Sequence, residues 1–229
     1  MVVTIDGPVA SGKTSVARAI AHQLSWFCML SGYLYRAVTY ALMQQYPHAD
    51  FHHFVVSDED MRAILHRLVY QCDAQAKITI LYQGVDITVH LKGAAIDQCV
   101  SLVSKQQVVR LHLVDIQRHV ALQHDNIIVE GRDCGTVVFP DASCKIFLTA
   151  DPVTRARRWQ EDQKRRGVDL SLDECVRFIT ERDMRDEHRA LSPLKIPADA
   201  WVLDTTHDTF EEVVARIMHE LRARRVTSL

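Results

Sequence analysis

The chain has 229 residues, which is long enough for one α/β domain with an insertion but short for two independent hydrophobic cores. Its 27 lysines and arginines nearly balance its 29 aspartates and glutamates, so the whole molecule has no strong field that would attract nucleic acid or a membrane surface. We therefore expect a single soluble domain in which any binding of anions is local.

The cysteines and the start of the chain indicate its compartment. The six cysteines include no C-x-x-C pair and no zinc-type spacing with histidine, which is typical of buried thiols in a reducing environment. A strand is predicted from residue 2, which leaves no room for a signal peptide, and no apolar run approaches the ~18 residues of a membrane span. We expect a cytoplasmic monomer that contacts neither nucleic acid nor a membrane.

A phosphate-binding loop is predicted between the first strand, residues 2–5, and the first amphipathic helix. It fits the pattern G-x-x-x-x-G-K-[ST] without a mismatch and comprises Gly7, Pro8, Val9, Ala10, Ser11, Gly12, Lys13 and Thr14, with Ser15 next in the helix. In such a loop successive backbone N–H groups point at phosphate oxygens. Lys13 then reaches the β- and γ-phosphates, and Thr14 offers a hydroxyl to Mg²⁺. The sequence therefore predicts a nucleotide-binding protein that uses Mg²⁺.

Further apolar runs predict the strands of a parallel sheet. Residues 126–129, 145–148 and 201–203 are each followed by a polar or helical stretch, and residues 26–30 are a further candidate strand. Consecutive apolar residues are typical of strands that are covered on both faces, as in a parallel sheet. A capping-box spacing of Thr209 and Glu212 predicts a C-terminal helix.

Between residues 31 and 125 this alternation breaks down. Residues 78–82 and 85–89 flank Gln83 and Gly84, a pattern that predicts a β-hairpin with helices around it. We interpret this segment as a substrate-binding insertion in the nucleotide-binding sheet. A hairpin that only covers the edge of the sheet is the alternative.

Two basic segments follow in the second half of the chain. The first contains Arg155, Arg157, Arg158, Lys164, Arg165 and Arg166, which indicate either a phosphate site or a solvated helix surface. In the second, the spacing of Arg182, Asp186 and Arg189 places all three on one face if the stretch is helical. Such a face forms either an ion-pair ladder or a binding surface for ribose and phosphate, and we favour the binding surface.

Residues 129–136 come directly after a predicted strand, at the edge of the sheet where open α/β folds bind ligands. Glu130 is placed to orient Mg²⁺ through water, and Arg132 and Asp133 follow as a cation and a hydrogen-bond acceptor. A turn stabilised only by local hydrogen bonds is the alternative interpretation.

Taken together, these motifs resemble the bacterial-type cytidylate kinases over essentially the whole chain. The resemblance is carried by residues 7–14, 31–36, Ser101 with Arg110, residues 130–142, and residues 181–189. It implies a P-loop kinase fold of the α/β class, with a parallel central sheet flanked by helices, a mixed α/β insertion that contains a β-hairpin and binds the nucleoside monophosphate, and a helical lid. The implied bounds are about 1–36 and 110–229 for the core, 37–109 for the insertion and 155–189 for the lid.

The resemblance also implies the reaction and its residues. The reaction is transfer of the γ-phosphoryl group of ATP to CMP, and also dCMP, with Mg²⁺. The residues similar to the cytosine site are Ser31, Arg110, Asp133 and Arg189; those similar to the ribose contacts are Ser101, Arg182 and Asp186; and those similar to the monophosphate ligands are Arg36 and Arg132. The implied catalytic cations are Lys13, Arg132, Arg158 and Arg182, and the implied metal ligands are Thr14 directly and Glu130 through water.

Some features depart from the family's pattern, and other functions remain open. Leu30 stands where an acidic residue is more common, and Lys92 where an arginine is usual. The alternatives are a P-loop kinase for another small acceptor and a nucleotide-binding regulator without turnover. A GTP switch is disfavoured because the chain contains no Asn-Lys-x-Asp sequence.

Overall fold

The computed structural model describes residues 1–227 and shows an α/β fold. The strands are β1 (Val2–Asp6), β2 (Phe27–Leu30), β3 (Leu68–Cys72), β4 (Ile78–Tyr82), β5 (Val85–Asp86), β6 (Ile127–Glu130), β7 (Cys144–Thr149) and β8 (Trp201–Asp204). The helices are α1 (Lys13–Leu24), α2 (Ser31–Gln45), α3 (Asp58–Leu65), α4 (Ala94–Val103), α5 (Gln107–Leu122), α6 (Pro152–Arg165), α7 (Leu172–Glu187) and α8 (Phe210–Ala223). Over the described part of the chain, no helix is both long and apolar enough to cross a membrane.

The central sheet has five parallel strands in the order β2-β6-β1-β7-β8. The predicted strands are therefore confirmed, including the candidate that became β2. The apolar runs of β1, β6 and β7 are buried because hydrophobic side chains cover both faces: helices α1 and α8 belong to one core cluster, and α2, α3 and α5 to the other. The sheet consequently presents the carboxyl ends of β1 and β6 side by side, with the phosphate-binding loop and Glu130 at the same edge.

The predicted hairpin is only partly correct. Strand β4 forms as expected, but β5 has just two residues, residues 88–92 form a 3₁₀ helix, and β3 adds a third, antiparallel strand on the other side of β4. The second strand ends early because side chains take over its hydrogen bonds. Thr88 Oγ1 accepts the Ile80 N–H at 2.8 Å, and the Asp86 carboxylate accepts the Thr88 N–H at 2.9 Å.

A tyrosine of the small sheet closes the open edge of the central sheet. The Tyr70 hydroxyl accepts the Leu30 N–H at 2.8 Å and donates to the Cys28 carbonyl at 3.1 Å. Both backbone groups belong to β2, the edge strand, and they have no neighbouring strand on that side. The hydroxyl therefore takes the place of a ladder partner immediately before Ser31, where α2 begins.

Helices α6 and α7 form a hairpin that is fixed at its base to the phosphate-binding loop. Trp159 and Phe178 stack with ring centroids 4.1 Å apart. A buried ion pair joins Arg155 of α6 to Asp183 of α7, and both partners also bond to the backbone of Val9: Asp183 accepts its N–H at 3.0 Å and Arg155 donates to its carbonyl at 3.1 Å. The base of this hairpin and the phosphate-binding loop are therefore one hydrogen-bonded unit.

Replacing Tyr70 with Phe should lower the free energy of unfolding, because it leaves two backbone groups of the edge strand without a partner. The expected loss is about 1–3 kcal/mol, which for a chain of this length corresponds to a fall in melting temperature of roughly 3–10 °C. Thermal unfolding followed by circular dichroism measures it. The matched control is Tyr40→Phe, since the Tyr40 ring stacks on His90 while its hydroxyl has no partner among residues 1–227. Equal melting temperatures for the two variants would contradict the role of the Tyr70 hydroxyl.

Candidate active site

A cavity of about 710 Å³ opens at the carboxyl edge of the central sheet. Its size is that of a small-molecule site. Apart from Gly7 and Pro8, the residues predicted for the site all line it: Val9, Ala10, Ser11, Gly12, Lys13, Thr14, Ser15, Ser31, Arg36, Ser101, Arg110, Glu130, Arg132, Asp133, Arg158, Arg182, Asp186 and Arg189. Residues more than 150 positions apart thus meet at one place.

The phosphate-binding loop has a backbone that requires glycine at its start. Gly7 has φ +149°, and a Cβ there would lie 2.0 Å from the Leu148 carbonyl oxygen. Gly12 has φ +91° and immediately precedes α1, so the N–H groups of the helix start face the cavity. The local sequence therefore produces the anion-binding geometry that the pattern predicts.

Lys13 is folded back over this loop. Its ammonium donates to the Pro8 carbonyl at 2.5 Å and to Ser11 Oγ at 3.2 Å, and the side chain is buried. Burial, followed by the nearby guanidinium of Arg132, lowers the pKa of Lys13 to about 7. An incoming phosphate would stabilise the charged form of such a buried lysine, because the anion supplies the negative charge that replaces the lost solvation.

Thr14 and Glu130 offer oxygen ligands that fit Mg²⁺. Thr14 Oγ1 donates to Glu130 Oε2 at 3.2 Å, so a hydroxyl and a carboxylate already face each other beside the loop. Hydroxyl and carboxylate oxygens are the donors that Mg²⁺ prefers. The site residues named for the metal are therefore compatible with it.

Asp6 was not among the predicted site residues, and its role is structural. Its carboxylate accepts the backbone N–H groups of Cys134 at 2.9 Å and Gly135 at 2.7 Å. Burial raises the pKa of Asp6 to about 6 although these two hydrogen bonds oppose the shift. Asp6 thereby fixes the turn after β6 to the end of β1. An acidic residue at the end of a buried strand was the available signal, since such a carboxylate requires partners.

Asp133 is held between two arginines. Arg110 bonds to one carboxylate oxygen, and Arg189 Nη2 donates to the other at 3.2 Å. All three side chains are at most 8% exposed. The Arg110 guanidinium also lies 5.4 Å from the ring centroid of Tyr35, whose buried hydroxyl has no hydrogen-bond partner among residues 1–227. Tyr35 was not among the predicted site residues, although its position next to Arg36 could have indicated it.

The expectation that one helix face carries Arg182, Asp186 and Arg189 is wrong for Arg189. Helix α7 ends at Glu187 and His188 is its C-cap, so Arg189 lies in the following turn. The helix ends because the chain turns back toward the site, where the Leu194 N–H donates to the Asp186 carbonyl at 2.8 Å. Arg189 reaches Asp133 from this turn rather than from the helix.

A second group of arginines is held by two other carboxylates. Arg36 pairs with Asp97, and Arg182 Nη1 lies 3.9 Å from the same carboxylate. Arg132 Nε donates to Asp186 at 3.0 Å. Burial and the Arg132 guanidinium lower the pKa of Arg182 to about 10, so it stays charged at neutral pH. Asp97 was missed by the sequence analysis because nothing in its local pattern distinguishes it.

Ser31 and Ser101 reach the cavity from two helices. Ser31 opens α2, and its hydroxyl lies so close to Gly131 that a Cβ there would be only 2.6 Å away. Ser101 lies one helical turn after Asp97 on α4, and its hydroxyl donates to the Gln98 carbonyl at 3.4 Å. Lys92, one of the departures from the family's pattern, lies 5.7 Å from the centroid of the Tyr33 ring.

The basic cluster of residues 155–166 does not act as one surface. Arg155 is buried in its ion pair with Asp183, so it is not a free phosphate ligand. Arg158 lines the cavity and donates to Thr205 Oγ1 at 3.0 Å and to the Thr205 carbonyl at 2.6 Å. Its catalytic role stays a prediction. The structure adds Asp208 and Phe210 to the same end of the cavity, where the sequence indicated no site.

A parallel sheet with a phosphate-binding loop at its centre and a cavity rich in arginine defines the class of P-loop kinases. The chain belongs to the cytidylate kinase family, whose model matches residues 3–223. It is 38% identical to the cytidylate kinase of Lactobacillus gasseri, covering 98% of this chain and 95% of that protein. It is 39% identical to the cytidylate kinase of Azotobacter vinelandii, covering 98% and 96% of the two chains. The resemblance stated from the motifs is confirmed.

Solved structures of similar fold are more distant in sequence. An uncharacterized protein from Eubacterium ventriosum superimposes with a TM-score of 0.53 at 12% identity, covering 97% of this chain and 99% of its own. A protein from Thermus thermophilus gives a TM-score of 0.50 at 18% identity, covering 97% and 96%. At these identities the likeness concerns the fold alone.

ATP binding should take up protons at alkaline pH. With a pKa of about 7, Lys13 is mostly neutral at pH 8 in the free protein, and the phosphates of ATP raise that pKa again. We expect uptake approaching one proton at pH 8 that declines toward pH 6, where Lys13 is already protonated. Calorimetric titration in buffers of different ionisation enthalpy measures it. The control is Lys13→Met at saturating ATP; the same uptake in this variant would contradict the assignment to Lys13.

Proposed function

We propose that this protein transfers the γ-phosphoryl group of ATP to CMP, and also to dCMP, giving ADP and the corresponding diphosphate. The observation that carries the proposal is the placement of Asp133, between Arg110 and Arg189, in the same cavity as the phosphate-binding loop. The names of the curated relatives support the reaction with CMP.

The chemistry of the Asp133 cluster suits cytosine. The base has a 4-amino group, which needs acceptors, and N3 and O2 atoms, which need donors. Each Asp133 oxygen has one bond to an arginine and retains a lone pair for the amino group, while Ser31 offers a further acceptor. Uracil would direct its O4 carbonyl at the carboxylate, so that two acceptors would face each other and the free lone pairs of Asp133 would have no donor, a mismatch that such sites reject strongly.

The other polar residues of the cavity suit the ribose and phosphate of CMP and the phosphates of ATP. We assign Arg36 and Arg132 to the monophosphate and Ser101, Arg182 and Asp186 to the ribose. Arg36 and Arg132 are pre-oriented by the carboxylates of Asp97 and Asp186, so a phosphate meets guanidiniums that already point into the cavity. We likewise assign the phosphate-binding loop to ATP.

The mechanism that these residues support is in-line transfer without a covalent enzyme intermediate. Thr14 would hold Mg²⁺ directly and Glu130 would hold it through water, and the bound ion would supply positive charge to the phosphates of ATP. Lys13 and the arginines offset the charge of the migrating group, and one guanidinium directed at it contributes ~10³-fold or more in rate. Residues 155–189 act as a lid that excludes water, with Arg158 on its inner side.

We assign the parts of the chain accordingly. Residues of about 1–36 and 110–229 are the core, and residues of about 37–109 are the insertion that carries the acceptor nucleotide. The division is supported by the small antiparallel sheet and α4, which supplies Asp97 and Ser101 to the acceptor side of the cavity.

Substrate specificity tests this proposal most directly. In a coupled assay of ADP formation, CMP should be the best acceptor, dCMP should also be phosphorylated, and UMP should be at least ~10²-fold poorer in kcat/KM because its O4 carbonyl would face the Asp133 carboxylate. AMP and GMP should be poorer still. Equal or better turnover of another monophosphate, or of a small acceptor that is not a nucleotide, would overturn the assignment, as would the absence of CMP-dependent ADP formation.

The Asp133→Asn variant tests the residue that carries the argument. It keeps the shape but replaces one acceptor oxygen with a donor, so kcat/KM for CMP should fall by ~30-fold to 10³-fold while the KM for ATP stays within a factor of about two. Steady-state kinetics with each substrate varied in turn gives both values. The matched control is Asp115→Asn on the exposed side of α5. Unchanged CMP kinetics in Asp133→Asn would refute its contact with the base.

A further inference from the structure

One serine contacts both arginines that flank Asp133. Ser192 lies in the turn between α7 and β8, and its hydroxyl accepts Arg110 Nε–H at 3.1 Å. Its backbone carbonyl accepts Arg189 Nε–H at 2.5 Å. The two arginines come from positions 79 residues apart in the chain, so this serine joins α5 to the turn after α7 directly behind two residues that line the cavity.

These contacts complete a ring of four residues. Arg110 and Arg189 each bond to Asp133 through Nη2 and to Ser192 through Nε. Because a guanidinium is planar, fixing two of its nitrogens fixes the direction of the remaining N–H groups. Ser192 and Asp133 together therefore set the plane of each guanidinium, and the Ser104 carbonyl, which accepts Arg110 Nη1–H at 3.1 Å, also holds that of Arg110.

The backbone at Ser192 is in a conformation that favours glycine. Its φ is +50°, in the left-handed region, where a residue with a Cβ is disfavoured. Glycine would adopt this φ without strain but would lack the hydroxyl that Arg110 uses. A strained residue whose side chain contacts a binding cluster points from geometry toward function.

We propose that Ser192 is a positioning residue for recognition of the acceptor base: its hydroxyl holds Arg110, and through Arg110 the Asp133 carboxylate, in the orientation that separates cytosine from uracil. This inference rests on the proposed assignment of Arg110, Asp133 and Arg189 to the base. It goes further because Ser192 itself belongs to neither the predicted site nor the residues that line the cavity.

The test compares Ser192→Ala and Ser192→Gly with a serine in the same backbone conformation elsewhere. Ser192→Ala removes the hydroxyl and keeps the strain, whereas Ser192→Gly removes both. The matched control is Ser25→Ala: Ser25 has φ +54° at the end of α1, is exposed, and its hydroxyl has no partner among the described residues. Steady-state kinetics with CMP, UMP and ATP is measured for all three variants together with melting temperatures.

Both Ser192 variants should raise the KM for CMP by ~10-fold and reduce the CMP-to-UMP ratio of kcat/KM by a similar factor. The kcat for CMP and the KM for ATP should stay within a factor of about two, and Ser25→Ala should match the wild type. If Ser192 had only a structural role, its replacement would change the melting temperature but not the CMP-to-UMP ratio of kcat/KM. If Ser192→Ala is unstable, Ser192→Gly still provides the test.

Two outcomes would overturn the inference. One is a CMP-to-UMP ratio in both Ser192 variants equal to that of Ser25→Ala. The other is a loss that affects CMP, UMP and ATP equally. Asp133→Asn in the same series separates failure of the base site from failure of the Ser192 role. If Asp133→Asn leaves the CMP kinetics unchanged, the base site itself is refuted. If Asp133→Asn impairs CMP turnover but both Ser192 variants leave the CMP-to-UMP ratio unchanged, only the role of Ser192 is refuted.

Discussion

The structure depends on keeping several guanidiniums charged and oriented in a cavity that is largely removed from water. Burial works against each of these charges, so each needs an acceptor within the protein. Asp133 serves Arg110 and Arg189, Asp97 serves Arg36 and Arg182, and Asp186 serves Arg132. An anionic substrate therefore enters a site whose polar groups are already oriented, and little reorganisation is needed when charge moves during transfer.

Buried charged side chains also link the segments that surround the cavity. Asp6 joins the end of β1, from which the phosphate-binding loop starts, to the turn that carries Asp133. Arg155 and Asp183 join helices α6 and α7 to Val9 in that loop. None of these three buried charged side chains lines the cavity, whereas Lys13 and Arg132 do. They fix the relative positions of the segments that line it.

Elements that are determined by residues close together in the sequence could be predicted, whereas features that depend on contacts between distant residues could not. The phosphate-binding loop, the five strands of the central sheet and the Thr209 capping box follow from spacing and apolar runs within about ten residues. The early end of β5 depends on Thr88 bonding across to Ile80, and the end of α7 before Arg189 depends on a turn fixed by the site. Asp6 and Asp97 were missed because their partners lie far away in the chain, and Ser192 because Arg110, which its hydroxyl contacts, is 82 positions away.

The hydroxyl of Tyr70 has a consequence for the behaviour of the protein in concentrated solution. An edge strand with free N–H and C=O groups is a template onto which a strand from another molecule can pair. The Leu30 N–H and the Cys28 carbonyl are the groups that such a strand would use, and one phenol oxygen already engages both. A strand from a second molecule could pair with these two groups only by displacing a side chain of the same chain.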